Sequence, residues 1–236
     1  MAETAKLGLP LVQAAQAQKH VTVNEGLARI DALTQISLTG IGGVTPPGSP
    51  AEGEAHAVGV GATGDWAGQH GQVAVFVNGG WLFVTPRAGW RGWSEAGGTG
   101  VTFDGVDWIE GAGALSANGA GFAHRSSEAD HAVSAGATSS VAGFIPANAI
   151  VYGITGRVIS AIGGAATLEI GADGSSNRYG SGIGTSAGAW ARGLTASPLA
   201  YYAATDLVLT PVGGNFDGTG VFRLAVHYAE ITLPRA

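Results

Sequence analysis

The residues best suited to chemistry lie in one glycine-bearing run, residues 173–179, which contains Asp173, Asn177, Arg178 and Tyr179. Sugar-binding sites combine such groups, because an aromatic ring stacks on the C–H face of a sugar while carboxylate, amide and guanidinium groups bond its hydroxyls. Further side chains of the same types follow along the chain: Trp190, Arg192, Tyr201, Tyr202, Asn215 and Asp217. We interpret them as candidate glycan-binding residues. A solvated turn, or packing of the aromatic rings in a core or against another subunit, is the alternative.

Metal chemistry has weaker support. Asp173 and Asn177 could coordinate calcium, but the run lacks the carboxylate density of a dedicated calcium site. The six histidines have no close metal-ligand spacing, and the absence of cysteine excludes thiolate zinc sites and disulfides. We therefore predict no metal ion and no cofactor.

Three sequence patterns that are typical of enzymes can be explained without catalysis. Gly184-Thr-Ser-Ala-Gly188 matches a nucleophile elbow and Gly59-Val-Gly-Ala-Thr-Gly64 a dinucleotide fingerprint, but neither has the flanking elements that the motif needs. Chance matches are expected in a chain with 41 glycines. Asp104, Asp107 and Glu110 could include the acid–base pair of a glycoside hydrolase, yet Asp104 is already explained by a turn. We expect no catalytic activity.

Composition limits the fold and the partners. With 41 glycines, 45% hydrophobic and 12% charged residues, and no glycine period of three, the chain is predicted to be a turn-rich β protein. A net charge of −6 without a basic cluster argues against nucleic acid or an anionic membrane as a partner. Because the sequence has no long apolar run and no signal-peptide pattern, we expect synthesis in the cytoplasm.

Helical periodicity is confined to residues 7–38. Apolar side chains recur there at steps of three and four: Val23, Leu27, Ile30, Leu33 and Ile36. Thr22 and Glu25 fit a capping box, which predicts a helix that begins near Thr22. Its apolar face could pack on its own domain or dock on a partner subunit. Residues 1–39 are thus predicted to be an N-terminal helical segment, which would serve attachment or oligomerisation if that face docks on a partner.

Three further segments follow. Residues 40–110 are predicted to form a β meander with turns at Asn78-Gly79 and Asp104-Gly105. Five tryptophans are predicted to form most of its core or, as the alternative, an aromatic platform: Trp66, Trp81, Trp90, Trp93 and Trp108. Residues 111–136 are interpreted as a linker that could include a short helix or an exposed strand. Residues 137–236 are predicted to form a jelly-roll-like β-sandwich with strands over 150–162, 166–170, 199–202, 207–210 and 221–233. Along the last strand, Phe222 to Tyr228 alternate between apolar and more polar positions.

A family resemblance is carried by several runs: Leu9-Pro-Leu-Val-Gln13, Gln16-Ala-Gln-Lys19, Val21-Thr-Val-Asn-Glu25, Leu27-Ala-Arg-Ile-Asp-Ala-Leu33, Asn78-Gly-Gly-Trp81 and Pro86-Arg-Ala-Gly-Trp90. These runs resemble the head-spike proteins of bacterial gene transfer agents and related prophage fibre proteins of alphaproteobacteria. His20 and Gly26 depart from the usual pattern of that family.

The C-terminal part resembles the capsule-binding domain of the same spikes, in Arg178-Tyr-Gly-Ser-Gly182, Trp190-Ala-Arg-Gly-Leu194 and Arg223-Leu-Ala-Val-His-Tyr228. The resemblance implies a head-spike or fibre subunit, displayed on a phage-like particle, that binds capsular polysaccharide. It also implies capsid or spike-base proteins as partners of the N-terminal segment, and we expect a homotrimer. A capsule-degrading depolymerase and a purely structural spike are the alternatives.

Overall fold

Most of the described residues form β-strands, as the composition predicts, and one α-helix lies near the N-terminus among them. The computed structural model describes residues 2–12, 19–172 and 174–236. The chain divides into a first unit, residues 1–119, and a second unit, residues 120–236. Within the described part of the chain, no helix is both long and apolar enough to cross a membrane.

In its described residues, the first unit contains the helix and nine short strands. Their bounds are α1 (Lys19–Thr34), β1 (Ser37–Leu38), β2 (Gly40–Gly43), β3 (Ala55–Val58), β4 (Val73–Val77), β5 (Gly80–Val84), β6 (Arg91–Ser94), β7 (Thr99–Phe103), β8 (Trp108–Glu110) and β9 (Ala112–Leu115), with a 3₁₀ turn at Gly64–Trp66. One sheet has the order β2-β3-β4-β5 and another the order β1-β6-β7-β8. The pairs β1/β6 and β2/β3 are parallel, and the other pairs in these two sheets are antiparallel.

Both predicted turns of the first unit are present. Asn78 and Gly79 have φ values of 53° and 76° and join β4 to β5 directly, as a two-residue hairpin with a primed turn requires. The Asp104 carboxylate accepts hydrogen bonds from the backbone N–H groups of Val106 and Asp107, each 2.9 Å long. Asp104 therefore closes the loop between β7 and β8, as its place in the sequence indicates.

The core of the first unit is more aliphatic than predicted. Trp66 and Trp108 are buried, but Trp93 is 49% exposed and Trp81 only half-buried. Aliphatic and phenyl side chains supply the rest: Ile36, Leu38, Val73, Val75, Val101 and Phe103. The prediction that tryptophans make most of this core is corrected, because alternate positions of β4 and β7 already fill it.

Helix α1 buries a different face from the predicted one. Asp31 is only 3% exposed and lies between the buried Ala28 and Ala32. Its carboxylate accepts hydrogen bonds from the Thr4 hydroxyl and from the backbone N–H groups of Lys6 and Leu7. A buried charge is tolerated where donors surround it, so this carboxylate holds residues 4–7 against the helix.

The apolar face predicted for α1 is consequently buried at some positions and exposed at others. Ile36 is buried beyond the end of the helix, whereas Val23 and Ile30 are 45% and 53% exposed. Since the chain is already helical at Lys19, Thr22 and Glu25 lie inside the helix, and the predicted capping box is wrong.

Among the residues of the second unit that the structure describes, eight strands are present. Their bounds are β10 (Gly121–Ala132), β11 (Ser139–Ile145), β12 (Ala149–Ser160), β13 (Thr167–Ala172), β14 (Ser175–Gly184), β15 (Trp190–Tyr201), β16 (Thr205–Val212) and β17 (Val221–Thr232). They form two sheets, with the orders β15-β12-β17-β10 and β11-β16-β13-β14. The first strand pairs with the last, the second with the seventh, the third with the sixth and the fourth with the fifth. This nested antiparallel pairing is the organisation of a jelly roll, which confirms the predicted class.

Some predicted boundaries differ from the structure. The segment 111–136, predicted to be a linker, contains β9 and the whole of β10, and β10 pairs with β17 along all 12 of its residues. Its inward positions are mostly small, as at Ala123 and Ala129, so the strand has no strong apolar alternation. Residues 175–179, for which a solvated turn was one of the two alternatives, lie within β14. The predicted segments 1–39 and 40–110 both fall in the first unit.

The sandwich core confirms the alternation read along the last strand. Phe222, Leu224 and Val226 are fully buried, while Arg223 between them is exposed. They pack in one cluster with apolar side chains of the facing sheet: Leu168, Ile170, Leu207 and Leu209.

The two sheets approach closely where β15 passes β14. A Cβ atom built on Gly193 would lie 1.8 Å from the carbonyl oxygen of Tyr179. No side chain fits in that space, so glycine at position 193 is a requirement of the sandwich.

We predict that Gly193→Ala destabilises the second unit by about 2–3 kcal/mol, because the added methyl group overpacks the contact between β14 and β15. Denaturant unfolding followed by circular dichroism measures the change. Gly184→Ala is the matched control, since its Cβ would lie 3.4 Å from the Ala189 Cβ, an ordinary contact. We expect that variant to change stability by less than about 0.5 kcal/mol. Equal effects of the two substitutions would contradict the prediction.

Candidate functional site

The second unit carries an open groove on the outer face of its β15-β12-β17-β10 sheet. The cavity has a volume of about 440 Å³, and its principal side chains are Glu128, Arg157, Ile159, Trp190, Arg192 and Arg223. We call it the outer-face groove. All six of these side chains belong to exposed residues, so the groove is open to large ligands.

Strand register builds this groove. Residues that pair across neighbouring strands share a face, and residues two apart on one strand do so too. The first row across the sheet consists of Trp190, Arg157, Arg223 and Asp130. The second row consists of Arg192, Thr155, Ala225 and Glu128. Four strands that are distant in the sequence thus contribute to one surface.

Trp190 supplies the aromatic component of the groove. The residue is 62% exposed, and the guanidinium carbon of Arg192 lies 5.8 Å from the centroid of its ring. That distance is within the range of a cation–π contact. The cation therefore lies over the aromatic ring at one wall of the groove.

The opposite wall contains an ion-paired arginine. Arg223 donates two hydrogen bonds to Asp130, with Nε–Oδ1 and Nη2–Oδ2 distances of 2.6 and 2.7 Å, and its Nε lies 3.7 Å from a carboxylate oxygen of Glu128. Hydrogen bonding to Arg223 holds the pKa of the Asp130 carboxyl below its usual value. Arg223 is therefore oriented and largely neutralised by its own neighbours.

Arg157 lies between the two walls. Its Nη1 donates a hydrogen bond of 3.5 Å to the Gly188 carbonyl. Neither Arg157 nor Arg192 forms an ion pair with any residue that the structure describes. The groove consequently presents two guanidinium groups that are free to bind an anion, next to an exposed indole ring.

The predicted site residues do not form one site. Trp190 and Arg192 lie in the outer-face groove. Asn177 and Arg178 lie on β14 of the other sheet, where the Arg178 Nε donates a 3.3 Å hydrogen bond to the Ala172 carbonyl. Asp173 lies outside the described residues.

Asn215 and Asp217 belong to the connection between β16 and β17. Asn215 is exposed, and the Asp217 carboxylate accepts hydrogen bonds from the Thr219 hydroxyl and backbone N–H at 2.6 and 2.9 Å. These bonds lower the pKa of Asp217. Its carboxylate thus organises a turn.

Tyr179 and Tyr201 are core residues, which corrects their assignment to a glycan surface. They are 1% and 7% exposed, and their hydroxyl groups form a hydrogen bond of 2.7 Å. Burial raises the pKa of Tyr179, and the bond to Tyr201 raises it further. Both rings face inward because alternate residues of β14 and β15 point into the sandwich. Tyr202, by contrast, is 85% exposed.

Sequence reasoning missed Arg157, Arg223, Glu128 and Ile159 as components of a site. Arg223 was assigned to the polar face of β17, and Arg157 and Ile159 lie within a predicted strand. Only the pairing of β12 with β15 and β17 places these residues beside Trp190. A search for cations on the polar faces of predicted strands would have selected both arginines.

Comparisons with known proteins give a family match and similarities among solved structures. Residues 23–109 match the family model described as "Protein of unknown function (DUF2793)". No curated protein matches the chain. Among solved structures, one similar chain belongs to the "Cyanophage Pam1 capsid asymmetric unit", with 24% identity and a TM-score of 0.33 over 50% of this chain and 91% of that chain.

We predict that the buried tyrosine pair is energetically coupled. Tyr179→Phe and Tyr201→Phe should each cost about 1–2 kcal/mol of unfolding free energy, because each leaves the other hydroxyl without its partner. The double variant should cost less than the sum, by about 1 kcal/mol. Denaturant unfolding of the four proteins gives the coupling energy. Tyr202→Phe serves as the exposed control, and additive losses at 179 and 201 would contradict the prediction.

Proposed function

We propose that this chain is a non-enzymatic spike or fibre subunit of a phage-like particle and that it adsorbs to capsular polysaccharide on cell surfaces. The observation that carries this proposal is the outer-face groove, in which an exposed Trp190 adjoins Arg157 and Arg192. In this proposal the chain is made in the bacterial cytoplasm and is displayed on the outside of the particle.

The chemistry of the groove suits a polysaccharide. An indole ring stacks on the apolar face of a sugar ring, and guanidinium groups donate hydrogen bonds to its oxygens. The groove is open rather than enclosed, so a long chain can cross it without a free end. Two runs that resemble capsule-binding spikes, residues 190–194 and 223–228, lie on β15 and β17 and contribute its walls.

Binding at one such groove is expected to be weak, because it is solvent-exposed and orders only a short part of the polymer. Several copies on one particle would convert weak binding into firm adhesion through effective concentration. A spike that repeats the same groove therefore needs no deep pocket.

A depolymerase has less support. Glycoside hydrolysis needs two carboxyl groups with separate roles, one of them with a raised pKa. The carboxylates at the groove, Glu128 and Asp130, both lie against the Arg223 guanidinium, and the pKa of Asp130 is lowered. Such an arrangement suits orientation of the arginine better than proton transfer.

The N-terminal helix supports the attachment role. Val23, Leu27 and Ile30 follow one another at steps of four and three, and Val23 and Ile30 are about half exposed. Asp31 turns this stripe outward by binding residues 4–7 on its own side of α1. We propose that the stripe contacts other subunits in a homotrimer or the capsid or spike-base proteins.

We predict that purified protein is retained by capsulated bacterial cells and not by capsule-free cells, without shortening of the polysaccharide. Trp190→Ala should reduce retention by about tenfold, because it removes the stacking surface. Pull-down with measurement of polysaccharide chain length tests both statements. Tyr202→Ala is the matched control, since it removes another exposed ring outside the groove. Chain shortening would favour the depolymerase, and no retention would leave a structural spike.

We predict a homotrimer at micromolar concentration in sedimentation velocity. Val23→Gln with Ile30→Gln should give a smaller species with unchanged circular dichroism, because the stripe loses its apolar contacts. Val60→Gln makes a similar change at a side chain that is 77% exposed elsewhere in the first unit, and it should remain trimeric. A monomeric parent protein would contradict the trimer, and a trimeric double variant would exclude the stripe as the interface.

A further inference from the structure

We infer that the outer-face groove selects acidic polysaccharides whose sugar units carry carboxylate groups. This inference deepens the proposed function and rests on it. It follows from the charge of the groove, from the geometry of its arginines and from the repulsion between Arg157 and Arg223 across two neighbouring strands.

Charge is distributed unevenly in this protein. The chain has a net charge of −6, yet three of its 11 lysines and arginines line this one groove, against two carboxylates at the groove, Glu128 in its lining and Asp130 beside Arg223. A cleft lined mainly by one sign of charge concentrates ligands of the opposite sign. The groove therefore attracts anions to an otherwise acidic protein.

Two of the three arginines stand directly opposite each other. Arg157 pairs in register with Arg223 across β12 and β17, and like charges at directly opposite positions destabilise a sheet. Asp130 and Glu128 offset the charge of Arg223 from its far side. Among the described residues, no carboxylate forms an ion pair with Arg157. A bound anion would therefore reduce the repulsion between Arg157 and Arg223.

The remaining contacts define where the anion would bind. Trp190 is the cross-strand neighbour of Arg157, and Arg192 lies two residues along the same strand, about 6–7 Å away. A sugar ring stacked on Trp190 would thus lie near two guanidinium groups, those of Arg157 and Arg192. The planar guanidinium fork matches the two oxygens of a carboxylate, which a neutral hydroxyl cannot reproduce.

The experiment compares two probes, polygalacturonate as the carboxylated polymer and dextran as the neutral one, each titrated against the full chain by biolayer interferometry. We expect binding to polygalacturonate to be at least about tenfold tighter than to dextran and to weaken as salt is added. Arg157→Gln with Arg192→Gln should abolish most of that preference. Arg29→Gln with Arg87→Gln, the same charge change at exposed sites in the first unit, should alter binding by less than about twofold.

Each remaining outcome overturns the inference. Equal binding of both polymers, unaffected by the arginine substitutions, would refute acidic selection while the adhesin proposal survives. Binding of neither polymer would also refute it, and retention on capsulated cells would then decide separately whether the chain is an adhesin. Equally tight, arginine-dependent binding of single-stranded DNA would mean that the groove is an unselective anion surface.

Discussion

The pairing register of β12 between β15 and β17 governs the second unit. It places Val158 in the sandwich core and Arg157 outside, opposite both Trp190 and Arg223. Because side chains alternate along a strand, a slip of one residue would exchange core and groove. The same hydrogen bonds that hold the sheet together therefore assemble the candidate binding surface, and the apolar residues of the core hold that register in place.

The two sheets are joined at a contact that leaves no room for a side chain at position 193. Gly193 approaches the Tyr179 carbonyl, and the hydroxyls of Tyr179 and Tyr201 meet in the interior. Trp190 and Arg192 lie on the same strand as Gly193, immediately before it. The side chains that reach into the groove are thus mounted on a strand whose backbone is anchored by close packing, which suits a rigid ligand surface.

A buried carboxylate organises the N-terminal helix. Three donors from residues 4–7 satisfy Asp31, so the polar residue faces inward and part of the apolar stripe faces outward. A surface helix of a globular protein usually turns its apolar face toward the core. The exception at Val23 and Ile30 leaves an exposed apolar surface, the one at which we propose contact with another subunit.

Local chemistry was readable from the sequence, because turns and alternation depend on neighbouring residues. Asn78-Gly79, Asp104 and the alternation of Phe222 to Tyr228 all appear as predicted, and with them the β-rich class and the sandwich. Tertiary structure alone decided which tyrosines were buried, that residues 121–132 were a strand, and that Asp31 faced inward. It alone also brought Arg157 and Arg223 to Trp190, since cross-strand pairing between distant segments leaves no local pattern in a sequence.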